Sequence, residues 1–208
     1  MVSNETINVI KRNGRGKESL DIDKIHSMVG FATEGITGVS ASHVEMNSGL
    51  QFFDGISTDD IQQILIKSAN DLISLESPNY QYVAARLLLF SLRKSLHHRL
   101  WEHPKFLTHI KKLVDLGLYD KGILDNYTEA EIDRMGMWID HERDYSFTYA
   151  GLRQVMDKYL VQDRSTGEIF ETPQFMYMMI SATLFAKYSK ESRLQYVKKY
   201  YDAISRFK

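Results

Sequence analysis

Residues Val9 to Ile25 read VIKRNGRGKESLDIDKI. Val9 and Ile10 have the character of a strand end. Lys11, Arg12, Arg15 and Lys17 surround Asn13-Gly14, a pair whose tolerance of positive φ favours a two-residue hairpin turn. Leu20 and Ile22 alternate with polar neighbours like a return strand. Asp21 or Asp23 then stands ready to cap a helix that starts near Lys24. Two readings fit these residues: a solvated basic turn, or a cationic hairpin beside a helix N-terminus that receives a phosphate group. Either way the stretch places a small sheet ahead of a run of helices, so the fold class is mainly α with an α+β first part.

The helices that follow are punctuated clearly. Ile25, Met28 and Val29 belong to a segment running to about Glu34, with Gly35 as its stop. Ser40 to Leu50 reads as a second helix, and Asp54-Gly55-Ile56 as a turn or short strand. Ser57 is placed to cap the next helix, with Asp59 and Asp60 favourable in its first turn. Ile61, Ile64, Leu65, Ser68, Ala69 and Leu72 recur at the spacing of one buried face. Ser77-Pro78 predicts another helix from Pro78 to about Leu96, serine as cap and proline at its first position. On it Val83, Leu87, Phe90 and Lys94 share one side, which sets a ring and an ammonium one turn apart. A core phenylalanine followed by a lysine reaching for water accounts for that pair without any ligand. Residues 1–96 thus read as a domain with a short sheet at one end of about four helices.

The run from His97 to Pro104 marks a boundary, because proline interrupts the helical pattern. Residues 97–208 read as a second, all-helical domain. Helices are expected over Lys105–Leu116, Glu129–Asp140 and Thr148–Tyr159, then a short hairpin whose arms, near Leu160 and Phe170, flank Ser165-Thr166-Gly167. Thr172 and Pro173 open the apolar helix QFMYMMISATLF, where the methionines are core packing. A last helix is expected from Glu191 to Phe207, with Leu194, Val197, Tyr201 and Ile204 as its apolar stripe.

Composition excludes several classes of function. The chain has 208 residues, 43% of them hydrophobic and 25% charged, with a net charge of −1. A dedicated nucleic-acid binder would show a basic excess. No apolar run is long enough to span a bilayer, and the N-terminus lacks a signal peptide's apolar segment, so the expected compartment is the cytoplasm. There are no cysteines, which removes disulfides, thiolate metal sites, cysteine nucleophiles and thiol redox chemistry from these residues. Seven histidines invite a metal site, but neither His97-His98 with His103 nor His141-Glu142 with Asp140 and Asp144 has a recognised ligand spacing. No metal is expected on this chain. Walker and GxGxxG loops are absent.

Taken together, these segments resemble the N-terminal part of the large (alpha) subunit of class I ribonucleoside-diphosphate reductase. The ATP cone of that family is carried by VIKRNG, LDIDKI, FFDGISTDDIQQILIKSANDLIS and SPNYQYVAARLLLFSLRK. Its helical N-terminal domain is carried by KYLVQDRSTGEIFETPQFMYMMISATLFAKY and ESRLQYVKKYYDAISRF. The match is collinear across essentially the whole chain. The resemblance implies a part in reducing ribonucleotides to deoxyribonucleotides for DNA synthesis. It also implies a ten-stranded catalytic barrel bearing thiols, which is absent here, and a small subunit whose metal centre generates the radical.

From the resemblance, ATP or dATP is the expected allosteric effector. Lys11 and Arg12 would lie on the hairpin covering the nucleotide. Glu18 would accept from the adenine amino group, with Leu20 and Ile25 as apolar walls and Lys24 closing the segment that approaches the phosphates. Thr58 would offer a hydroxyl, Lys94 phosphate charge, and Phe90 packing beside it. Gln62 stands where the family often has a histidine, and the hairpin carries one extra residue. The expectation is a split or truncated large subunit, active only with a separate chain that supplies the barrel. The alternative is a stand-alone nucleotide-binding regulatory module with no catalytic role.

Overall fold

The computed structural model describes residues 7–11, 16–49, 51–97 and 101–207. Arg12, Asn13, Gly14 and Arg15 of the expected hairpin turn, and His98, lie outside the described residues. The chain divides into two compact units. The first comprises Met1–Ser91 with Ser146–Leu152, and the second comprises Leu92–Tyr145 with Arg153–Lys208.

Three short strands, β1 (Asn8–Ile10), β2 (Lys17–Ser19) and β3 (Ile56–Ser57), open the first unit. They form a sheet of order β2-β1-β3, antiparallel on one side of β1 and parallel on the other. Val9 pairs with Glu18 and Ile56, while Ile10 pairs with Lys17 and Ser57. Asp54 holds the start of β1, its carboxylate accepting from the Asn8 backbone N–H at 2.8 Å and the Asn8 amide at 3.0 Å. Gly55, at φ 83°, then donates to the Asn8 carbonyl at 2.8 Å, a backbone bond made at a φ that side-chain-bearing residues avoid.

Helices α1 (Ile22–Thr33), α2 (Ala41–Gly49) and α3 (Thr58–Asp71) pack in series, α1 on α2 and α2 on α3. The expected return strand through Leu20 and Ile22 is shorter than its alternation implied. Asp21 accepts from the Lys24 backbone N–H at 3.2 Å and so starts α1 at Ile22, which is 70% exposed. Ser57 caps α3 as expected, accepting from Asp60 N–H at 3.0 Å. The next helix, α4, runs Tyr80–His97 rather than from Pro78. Ser77 does not cap it: its N–H donates to Ser74 Oγ at 3.1 Å, and the Asn79 amide is drawn away to the Thr37 carbonyl at 2.9 Å. Val29, Ile56, Leu65, Val83 and Leu87 are wholly buried in this unit.

In the second unit α5 (Phe106–Asp115), α6 (Gly122–Asn126), α7 (Glu129–Gly136), α9 (Pro173–Phe185) and α10 (Arg193–Ile204) enclose a core centred on Ile110, Ile132, Met135, Met178, Val197 and Tyr201. α7 stops four residues before the expected Asp140. The Asp140 carboxylate instead caps a 3₁₀ turn, His141–Ser146, by accepting from Glu142 N–H at 3.1 Å. α8 (Tyr149–Lys158) follows. The short hairpin closes through a single bridge, Gln162 with Ile169. The stripe on α10 is used inside the unit, with Val197 and Tyr201 buried and α10 packed on α9.

Candidate functional site

The site is built at one end of the small sheet. Lys11 follows Ile10 and Thr58 follows Ser57; because Ile10 and Ser57 pair in a parallel ladder, the two residues leave the sheet at the same end. On the other side of β1, Glu18 faces Val9 in register. Lys11 Nζ lies 2.8 Å from Glu18 Oε2, with side chains 50% and 38% exposed. The hydrogen bond from Lys11 is the largest influence on Glu18 and holds its carboxyl below the ordinary glutamate value, so Glu18 is a carboxylate at neutral pH. Lys24 sits in the first turn of α1, 3.3 Å from Asp21, and its charge also favours ionised Glu18.

Thr58 is the first residue of α3 and is half-buried. The free N–H groups of that first turn carry the positive end of the helix dipole. Ser57 uses its hydroxyl for the cap and for a 2.7 Å bond to Asp60 Oδ2. Leu20 is half-buried and Ile25 is 9% exposed, forming apolar surface next to β2. Phe90 is buried at 1% exposure within α4. Lys94 lies one turn further along α4, past the boundary at Ser91 and Leu92 that separates the two units. Arg12 is outside the described residues. Gln62 is 3% exposed and donates its amide N–H to the Leu87 carbonyl at 2.9 Å, which ties α3 to α4.

Sequence reasoning missed Asp54. Its clamp on Asn8 joins residues 46 apart in the chain, and only the position of Asp54 beside Gly55 hinted that a turn lay there. Chemically, the group offers an ammonium, a carboxylate, a hydroxyl and helix N–H donors. These recognise charge and hydrogen-bonding edges, and the sequence contains no thiol. Among the described residues no cluster of three or more His, Asp or Glu side chains is placed to hold a metal ion. No helix of the described residues is long and apolar enough to cross a membrane.

Residues 7–95 match the ATP cone domain family, and residues 145–208 match the ribonucleotide reductase all-alpha domain family. The chain carries N-terminal domains of the ribonucleotide reductase alpha subunit. It is 50% identical over 205 residues to the ribonucleoside-diphosphate reductase subunit alpha of Haemophilus influenzae, covering 99% of this chain and 27% of that protein. The corresponding Escherichia coli subunit is 49% identical over 205 residues with the same coverage. That of Enterobacteria phage T4 is 43% identical over 201 residues, covering 97% of this chain and 26% of the relative. The chain therefore spans about a quarter of the length of these relatives. The sheet, α1 and α3 all lie in the cone, and α9 and α10 lie in the all-alpha domain.

Proposed function

We propose that these residues form the nucleotide-sensing and scaffolding region of a ribonucleoside-diphosphate reductase, binding ATP or dATP in the cone. The observation that supports this is the Lys11–Glu18 ion pair beside the end of the sheet from which Thr58 and α3 depart. A purine amino group can donate to Glu18 while Lys11 turns from its carboxylate partner to the phosphates. Charge-assisted bonds of this kind are roughly twice as strong as neutral ones. Leu20 and Ile25 would wall the base, and Lys24 and Arg12 would add positive charge. Phe90 would pack behind the site, and Lys94 would contribute further phosphate charge. With Gln62 bonded to α4, the nucleotide response at that position would differ from that of relatives bearing histidine.

Reduction itself needs thiols, and none of the 208 residues is cysteine. The cysteine-bearing barrel is proposed to come from polypeptide outside these residues, as a separate chain, with the radical supplied by a metal-bearing small subunit. Calorimetric titration with ATP tests the binding step. Lys11→Ala and Lys94→Ala are each expected to weaken ATP about tenfold, the loss of one charge-assisted contact; unchanged affinity in both would remove the assigned site. Mixing residues 1–208 with a barrel-bearing chain and a small subunit tests the second step. Activity should require all three, and equal activity without 1–208 would leave only a stand-alone nucleotide-binding module.

A further inference from the structure

The geometry points to a second binding surface: a groove between α7 and α10 of the second unit that takes an acidic peptide segment of a partner protein. The groove encloses about 670 Å³. Trp138 and Leu194, both half-buried and packed against the unit's core, form its apolar part. Arg134 lies over the Trp138 ring, its guanidinium carbon 5.8 Å from the ring centre, a cation–π arrangement that orders the guanidinium without neutralising it. Lys190, Lys198 and Lys199 complete the cationic rim.

Four cations therefore meet two carboxylates, Glu191 and Asp202, in a chain whose overall charge is −1. Asp202 is paired with Lys198 at 2.5 Å and is shared with two further cations, Arg143 at 2.9 Å and Arg206 at 3.9 Å, so Arg134, Lys190 and Lys199 keep a positive excess around the groove. Arg134 and Lys199 make no ion pair among the described residues. Positive potential above a partly apolar floor suits a segment that alternates carboxylates with one aromatic or aliphatic anchor. A nucleic-acid strand fits less well. It would bring continuous phosphate charge past Glu191 and Asp202, and it would find one ring where strand binders use several. None of these residues belongs to the nucleotide site, so the two surfaces are separable.

The test uses the whole 208-residue chain with Trp101→Phe, which leaves Trp138 as its one tryptophan. The probe is a synthetic peptide of Asp and Glu residues around a central Phe. Trp138 emission should change saturably, and the affinity should fall steeply with added salt. In the Lys190→Glu/Lys199→Glu variant the peptide should bind about tenfold more weakly. Lys67→Glu, on α3 in the other unit, should leave binding unchanged. Far-ultraviolet circular dichroism establishes that each variant is folded. No saturable change, equal affinity in the double variant, or tighter binding of single-stranded DNA that displaces the peptide would each overturn the proposal.

Discussion

His141 stacks on His103 with ring centres 3.5 Å apart and planes 13° from parallel, and it meets Phe175 edge-on at 5.0 Å. His109 also packs on Phe175, with ring centres 4.4 Å apart. Histidines that invited a metal reading from their density in the sequence are here used as flat aromatic surface. Burial, followed by the charge of Arg93, drives His103 down to about 3, and burial with the neighbouring His103 and Arg93 drives His141 down to about 2. Burial likewise lowers His109 to about 3. Unfolded histidines titrate near 6.5, so between about 6.5 and 3 the unfolded chain takes up protons that the folded rings refuse. Their contribution is present above pH 6.5 and lost on acidification. Asp144, raised to about 6, and Glu171, raised to about 7, both chiefly by burial, act in the opposite direction. The comparison must therefore be between a variant and its parent at each pH. Relative to the parent, His141→Phe is expected to gain on the order of 1–2 kcal/mol between pH 7 and pH 5, read from urea unfolding midpoints. Parallel pH dependences would show that His141 is not held neutral.

At the scale of elements, α7 shows how much of a short helix is settled at its ends. Thr128 accepts from Glu131 N–H at 3.3 Å, and Glu131 reaches back to Thr128 N–H at 2.8 Å, a reciprocal capping box. The same Glu131 carboxylate takes a two-pronged contact from Arg193 at 2.7 Å to each oxygen, which pins the start of α10 to the start of α7. The Arg193 guanidinium also lies 4.3 Å from the Tyr127 ring centre. Thr128→Ala should cost about 1 kcal/mol, the usual value of a lost N-cap, measured as a shift in the denaturation midpoint with unchanged slope. A larger loss would mean that the cap also positions Glu131 for Arg193. The capping box is a local pattern, Thr128 followed three residues later by Glu131, although the helix expected from Glu129 carries no named cap. Its partner Arg193 belongs to no such pattern, because nothing local marks a residue 62 positions away.

For the whole molecule, the two compact units predict a localised response to nucleotide. Saturating ATP at about a hundredfold its Kd should add about 2.7 kcal/mol to any opening that breaks the site. Hydrogen exchange should slow in β1, β2, β3 and the first turns of α3, and should be unchanged in α5, α7 and α10 of the second unit. Uniform slowing would contradict a site confined to the cone. Most of the fold was legible from sequence because its signals are local. Hydrophobic period, Asp21 and Ser57 as caps, Gly35 as a stop and Pro173 at a first helical position act within a turn or two of chain, where propensity and capping operate. The absence of thiols was likewise settled by composition alone. Tertiary structure decided what depends on which faces meet: the Asp54 clamp on β1, the commitment of Gln62 to Leu87, the burial of Phe90, the stacking of His103 on His141 and the Glu131–Arg193 link. Such contacts join residues remote in the chain, and their energy comes from burying matched surfaces and satisfying polar groups that no local pattern can pair in advance.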